Sequence, residues 1–411
     1  MKICIVGGST AGWWAAGYLE KNMPECEIVL YDSPDIPNLG VGESTLPQIK
    51  TWFDDIGIKE ENWFDKCNAV KKYGNYKQGW NTPPIDDSMT LRFWYDRGLF
   101  EDLFNEPQNW NKDQTPKKQN FYDVFETNYD YAYHICAESS GKMLKNFCER
   151  TETRYETLDK LPPGFDLYLD CTGFSRKFVN DFTEMSISKY HILDNAWVIN
   201  LQRENDVPIC DFTKSIAKKY GWQFQIDLQN RTGIGYVFSS QHIDVESALL
   251  EFRTFYKNRT PVESGHLCEP KLYQWKPLVL QNPWSNNIVA LGTSAGFVEP
   301  LEATTLFNLQ AGITTLVRCL KHKIPSKVYN RQMRNIWRDS LRFIECHYTL
   351  SDRKDSSFWR YITKEKPKYQ KLIWEYYDKY SSEFTNIFPS GVWAQQIIYM
   401  NAYDNRTTAT N

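Results

Sequence analysis

The first thirty-two residues leave little choice of fold. Lys2-Ile-Cys-Ile-Val6 is short, apolar and β-branched, Gly7-Gly8-Ser9-Thr10-Ala11-Gly12 is a run of small residues, and Trp13 to Lys21 has helical composition. Glu27-Ile-Val-Leu-Tyr31 repeats the strand pattern and ends at Asp32. A buried strand, a tight turn, a helix and a second strand make a βαβ start, whose strands must be parallel. In such a unit the glycines let the backbone approach a pyrophosphate at the helix N-terminus, and an acid about 20 residues on takes a ribose hydroxyl. Gly7, Gly12 and Asp32 hold those places, and Ser9 stands where the middle glycine would be. The whole turn, with Gly8, Thr10 and Ala11, is therefore assigned to a dinucleotide.

A second candidate lies far along the chain. The apolar run Asn287-Ile-Val-Ala-Leu291 precedes Gly292-Thr-Ser-Ala295-Gly296-Phe-Val-Glu299-Pro300-Leu-Glu302-Ala303-Thr304-Thr305. A strand, a turn of small residues and a helix start would aim several backbone N–H groups at one point, a place to hold an anion. Glu302 falls inside the turn, where a carboxylate can cap the helix or face a cavity as a chemical group. Earlier, Asp35-Ile-Pro-Asn-Leu-Gly40-Val-Gly42-Glu43-Ser44-Thr45-Leu-Pro47 is a glycine-punctuated loop leading into a helix from about Gln48 to Asp55.

Composition removes several function classes. A net charge of -3 over 411 residues gives no electrostatic case for nucleic acid or an anionic membrane. The ten cysteines form no C-x-x-C pair and the six histidines no H-x-x-x-H pattern, so no metal site is expected. With no secretory leader ahead of Met1, the thiols are expected to be reduced and the chain cytoplasmic. Aromatic residues make up 15% of the chain, more than core packing usually needs, and aromatic walls suit planar ligands.

Six blocks in one order carry a resemblance: GGSTAGWWAA at 7–16, DIPNLGVGESTLP at 35–47, CNAVKK at 67–72, DCTGFSR at 170–176, AGFVEPLEATT at 295–305 and HYTLSDRKDSSFWR at 347–360. Together the chain resembles the flavin-dependent halogenases of the tryptophan halogenase family. The resemblance implies an α/β fold in which a flavin-monooxygenase-like, Rossmann-type FAD-binding domain, discontinuous in sequence, joins a mostly helical substrate-binding region. It implies a module over 1–330 with inserted substrate-side segments at about 80–130 and 185–275, and a helical region over 331–411 covering the substrate site. It further implies FAD used as FADH2, oxygen and a halide (bromide, chloride or iodide) giving hypohalous acid, and a lysine that delivers the halogen to a small electron-rich aromatic substrate. That lysine corresponds to Lys72, with Lys71 and Lys77 as rivals, and Glu302 corresponds to the glutamate beside it. Thr304 and Thr305 match the halide position. Gly42, Glu43, Ser44, Thr45, Asp170, Gly173, Gly292, Ala295 and Gly296 join the first glycine turn as flavin contacts.

Two departures from the family pattern bear on function. Trp222-Gln-Phe224-Gln-Ile-Asp227 stands where the family has W-x-W-x-I-P, so the aromatic wall, assigned to substrate binding, is kept at Trp222 and Phe224, while the fixed φ of proline is lost at Asp227 and with it the basis of the motif's role in suppressing ordinary monooxygenation. Ala303 replaces the usual serine after the glutamate. A single dinucleotide fingerprint, spent on FAD, implies a separate NAD(P)H-dependent flavin reductase as partner. The oligomeric state is open, a homo-oligomer included. The alternatives are a flavin monooxygenase hydroxylating a phenol or indole, and a non-catalytic FAD-binding protein. A lone histidine at a strand end, His134, reads as structural.

Overall fold

The computed structural model describes residues 1–35, 42–81, 89–92, 131–203, 207–263 and 267–364, with Phe388, Val392, Trp393, Gln396 and Met400. In chain order the elements begin with β1 (Lys2–Val6), α1 (Thr10–Asn22), β2 (Glu27–Asp32), β3 (Glu43–Ser44), α2 (Ile49–Asp55), α3 (Glu60–Trp63), β4 (Val70–Lys72), β5 (Gly74–Gln78) and β6 (Met89–Arg92). There follow β7 (Ala132–Ile135), α4 (Ala137–Phe147), β8 (Glu152–Tyr155), β9 (Leu167–Asp170), β10 (Asn195–Gln202), β11 (Phe212–Lys218), β12 (Gly221–Asp227), β13 (Arg231–Phe238) and α5 (Val245–Thr254). The last are β14 (Lys271–Gln274), β15 (Leu278–Val279), β16 (Trp284–Ser285), β17 (Ile288–Ala290), β18 (Gly296–Phe297), α6 (Thr304–Lys321), α7 (Ser326–Thr349) and α8 (Ser357–Ile362).

Two large sheets carry the molecule. The first runs β16-β17-β9-β1-β2-β8, parallel except for β16 at its edge, with Val6 opposite both Tyr31 and Asp170. Its strands are apolar on both faces, as a covered parallel sheet demands. The βαβ reading of the opening residues holds, and it brings the sequence-distant Asp170 and Ala290 to the same sheet end as Gly7. The second sheet runs β14-β10-β13-β12-β11-β5-β6 and is antiparallel except where β11 pairs with β5. The inserted segment from 185 to 275 thus supplies most of a sheet, and α6 and α7 supply the long helices. A three-stranded sheet, β3-β7-β4, sets Ser44 and Val70 on either side of His134.

Helix boundaries move by a few residues from the sequence reading. The helix read over Trp13 to Lys21 spans Thr10–Asn22, and the one expected from about Gln48 begins at Ile49. Of the inserted segment at about 80–130, β6 lies within the described residues, while 82–88 and 93–130 lie outside them, as does most of the helical region beyond 364.

One carboxylate fastens the first sheet to the turn before α6. Asp170, 1% exposed, accepts from Thr172 N (2.9 Å), Thr172 Oγ1 (2.7 Å), Phe178 N (2.9 Å) and Ser294 Oγ (3.0 Å). Four donors on one buried carboxylate make it the knot of three segments. Asp170→Ala strands those donors and is expected to lower unfolding stability by about 3 kcal/mol, read from urea denaturation; a change below about 0.5 kcal/mol would contradict this role.

Candidate active site

The turn after β1 and the N-terminus of α1 form one wall of a cavity of about 420 Å³, lined also by Asp32, Glu43, Thr172, Gly173, Gly292, Thr293 and Thr305. The glycines here are steric requirements. A Cβ on Gly12 would lie 1.9 Å from Gly7 O, and one on Gly8 would lie 2.1 Å from the Asp32 carboxyl carbon. Gly7 itself has φ +110°. Ser9, in the place of the middle glycine, has φ -82°, so the turn needs no glycine there, and it still lines the cavity. A backbone cradle at a helix start, ending at an acid on the next strand, fits the adenosine and pyrophosphate of FAD. Burial raises the Asp32 carboxyl from its ordinary value.

A second cavity of about 190 Å³ shares Glu43, Phe174, Thr293, Thr305 and Leu306 with the first. Trp222, Phe224, Tyr273, Trp275 and Phe297 give it the aromatic wall that a planar flavin ring would use. The ring of Phe224 lies where a Cβ on Gly235 would be 2.3 Å from it, so small-residue spacing on β13 makes room for β12. Asp227, in the place of the family's proline, stays in register opposite Thr232 and accepts from Thr232 Oγ1 (2.9 Å) and Cys210 N (2.9 Å). The lost proline thus leaves a continuous strand rather than a break.

Not every assigned flavin contact faces these cavities. Gly7 to Ala11, Asp32, Gly173 and Gly292 line the larger one, Gly42 and Ser44 the smaller, and Glu43 both. Asp170 is committed to the knot described above. Thr45 exchanges hydrogen bonds with the Tyr133 backbone, Ala295 packs with Val179 and Leu278, and Gly296 abuts Trp337. These four, together with Gly12, which packs against Gly7 O, lie behind the wall.

The cavities meet at the start of α6. Glu302 and Ala303 have φ +64° and +59°, left-handed values that cost a non-glycine residue on the order of 1–3 kcal/mol each. The two residues reverse the chain, so α6 begins at Thr304 with its first N–H groups at the junction, where Thr305 lines both cavities.

The reversal also fixes the Glu302 side chain. Its Oε2 accepts from Asn75 Nδ2 (2.8 Å), and its Oε1 meets Lys77 Nζ and His347 Nε2 (3.1 Å). The sequence reading expected Lys72 as its partner across the tunnel; the direct ion pair is with Lys77. Burial pushes the Glu302 carboxyl up, but Lys77 and His347 outweigh it and hold it well below the usual carboxylate range. His347 Nδ1 lies 2.8 Å from Phe343 O. Both ring nitrogens therefore face acceptors, and a neutral imidazole can donate to only one of them. Burial and then Lys77 lower the ring's pKa.

Lys72 is also fully buried, with Nζ donating to Ser44 Oγ (2.5 Å) and Thr45 O (3.3 Å). Burial lowers its pKa to about 7, with the Glu302 charge opposing and the Lys77 charge adding. From Ser44 the bonds run on: Thr213 Oγ1 is 3.0 Å from Ser44 Oγ and 2.8 Å from His134 Nε2, and His134 Nδ1 is 3.2 Å from Asp227 O. A neutral ring carries a proton on only one nitrogen, and Thr213 Oγ1 has a single proton, which it donates to Ser44 Oγ. Burial and the Lys72 charge lower His134 to about 3, which keeps the ring neutral. His134 is thus the far end of the chain that orients Lys72. Lys71, the other rival, lies at the surface against Glu60 (3.8 Å).

Beside this cluster, Glu299 Oε2 accepts from Trp222 Nε1 (2.8 Å) and Tyr348 OH (2.5 Å), and burial raises its carboxyl to about 7. Asn75, His347 and Glu299 escaped the sequence reading as site residues. Strand alternation carried a signal for the first, since Asn75 and Lys77 are two apart and share a face of β5.

The model of the tryptophan halogenase family matches residues 2–409. Tryptophan 7-halogenase RebH of Lentzea aerocolonigenes is 30% identical over 427 residues, covering 87% of this chain and 78% of the relative. Among solved structures, the tryptophan halogenase of Shewanella frigidimarina NCIMB 400 superposes with a TM-score of 0.83 at 24% identity, over 97% of this chain and 88% of that one. Xcc4156, a flavin-dependent halogenase from Xanthomonas campestris, gives 0.84 at 23% identity, over 98% and 89%.

Lys72 gives the site a pH signature. It keeps its proton to about pH 7 when folded and to 10.5 as an ordinary lysine. Between those values the unfolded chain binds more protons, so stability rises with pH, by up to about 1.4 kcal/mol per unit. Lys72→Met is expected to remove that rise in melting curves taken from pH 7 to 10, and an unchanged slope would contradict the buried, depressed amine.

Proposed function

This chain belongs to the tryptophan halogenase family and is a flavin-dependent halogenase acting on an aromatic substrate, and from that premise we propose the roles of its residues. The Gly7–Gly12 turn, Asp32, Gly173 and Gly292 hold the nucleotide part of FAD, and the aromatic cavity at Trp222 and Phe224 holds its ring. Reduced FAD, delivered by a separate reductase, supplies the oxygen chemistry that converts halide to hypohalous acid. The backbone N–H groups of Thr304 and Thr305 bind the halide; the positive end of the α6 dipole favours an anion there.

Lys72 directs the next step. Its ammonium donates a hydrogen bond to the oxygen of the hypohalous acid while a π-rich ring carbon takes the halogen. The C–X bond forms, the O–X bond breaks, the oxygen leaves as water with the lysine's proton, and the proton lost from the ring restores the ammonium. A lysine titrating at about 7 is matched to giving and regaining a proton at neutral pH. Glu302, held ionised, keeps a fixed negative charge beside it and stabilises the cationic ring in the transition state. No side chain in this step selects bromide, chloride or iodide, and the polarisable, more easily oxidised halides suit it best.

The observation that carries this reading is the joint of the two cavities: helix N–H groups and an ionised buried Glu302 at one place, with the buried Lys72 directly behind the wall, bonded to the cavity-lining Ser44. Asp227 in place of proline is the feature that favours the rival, hydroxylation of a phenol or indole. Reduced FAD, oxygen and a panel of phenols and indoles are incubated with and without bromide, and the products weighed by mass spectrometry. Brominated product that requires bromide, and that falls by at least about 100-fold in Lys72→Met and Glu302→Gln, is the expected result. Hydroxylated product that ignores bromide would overturn it.

A further inference from the structure

Two buried lysines, Lys72 and Lys77, lie close to the buried Glu302. Lys72 ends β4, and Lys77 lies five residues on, in β5, opposite Ser215 of β11. Both are fully buried. Lys77 Nζ meets Glu302 Oε1 and lies 5.9 Å from the centre of the Trp80 ring, whose Nε1 donates to Ser215 O (2.9 Å). Asn75 and Glu302 line the smaller cavity, whereas neither lysine does. Asn75 comes from the same face of β5 and takes the second carboxylate oxygen, so one strand supplies both a charge and an amide to Glu302.

Resting on the halogenase reading above, we propose that Lys77 is a positioning residue for the transfer of halogen: with Asn75 and His347 it clamps Glu302 in one rotamer and sets the charge that Lys72 experiences. The clamp explains why a carboxylate on a left-handed turn of two non-glycine residues holds one geometry: three side chains from β5 and α7 define it from the outside. It also divides the labour of the two lysines. Lys77 completes the ion pair, and Lys72, held through Ser44, is the one poised to exchange a proton.

The groups that face Lys72 are Glu302, Lys77 and the neutral His134, together with the Ser44 and Thr213 hydroxyls; Glu302 in turn faces His347 and the Cys346 thiol, and Glu299 lies within electrostatic reach of Lys77. Removing the Lys77 charge takes away a repulsion on Lys72 and releases Glu302 to attract it. Both changes favour the Lys72 ammonium, so its titration moves upward.

The test uses the full chain with FAD, a reductase system and bromide, and measures two quantities: hypobromous acid released to a small scavenger, and brominated product. Bromide-dependent acid from the wild type is the proposed function's own check, so failure there is read separately from the Lys77 result. In Lys77→Met, FAD binding and acid formation are expected within about twofold of wild type, product per acid at least about tenfold lower, and the alkaline limb of product formation higher by about one pH unit. Lys77→Arg, which keeps the charge, restores the limb. Should Lys77→Met fail to fold, Asn75→Leu removes one arm of the clamp without isolating a charge and is expected to lower product per acid in the same direction. Unchanged product per acid, an unmoved limb, or loss of acid formation itself with FAD still bound would overturn the proposal.

Discussion

The ion pair of Lys77 with Glu302 is the contact on which the site's geometry depends. Two charges taken out of water lose hydration worth several kcal/mol each, and their attraction offsets this only when the remaining lone pairs are satisfied. Here Asn75 and His347 meet the other positions on the carboxylate, and the strained backbone at Glu302 and Ala303 is held by the same contacts. The pair therefore says little about net stability and a great deal about uniqueness: breaking it leaves a buried charge and relaxes the turn that starts α6.

Two sheets with different tasks converge on that turn. The parallel sheet gathers β1, β9 and β17 so that three turns distant in sequence line one cavity, the arrangement expected at the carboxyl ends of parallel strands. The antiparallel sheet supplies flat aromatic wall from β12 on one side and, through β5, the donors that fix Glu302. The small sheet β3-β7-β4 then ties the loop after the second strand to Lys72, since Ser44 and Lys72 both flank β7. Flavin wall, amine and carboxylate are thereby held by separate elements whose relative placement is set by strand register.

Local chemistry made much of this legible in the sequence. The first βαβ unit could be read because its signals are short-range: β-branched runs, glycines with steric duties, an acid at a strand end. The 292–305 stretch showed its helix start and its carboxylate for the same reason. The partner of Glu302 could not be read this way. Lys72 and Lys77 are both five-residue neighbours in a basic stretch, and which one reaches Glu302 is decided by whether it lies in β4 or in β5, that is, by pairing with β7 or with β11, contacts tens of residues distant. The same holds for His134, whose role depends on Thr213 arriving beside Ser44. Asp170 and Ala295 lie three residues from the cavity-lining Gly173 and Gly292 yet line neither cavity: their buried side chains support the wall from behind.

The central claim is that the N-terminus of α6, at the joint of the two cavities and beside Glu302, is where halide enters the chemistry. The most direct measurement is anomalous X-ray scattering at the bromine edge from crystals of the protein grown with FAD and bromide. The account predicts a bromide peak within hydrogen-bonding distance of the Thr304 and Thr305 amides, between the aromatic cavity and Glu302. An ordered α6 start with no bromide there, or bromide bound only elsewhere, would contradict it.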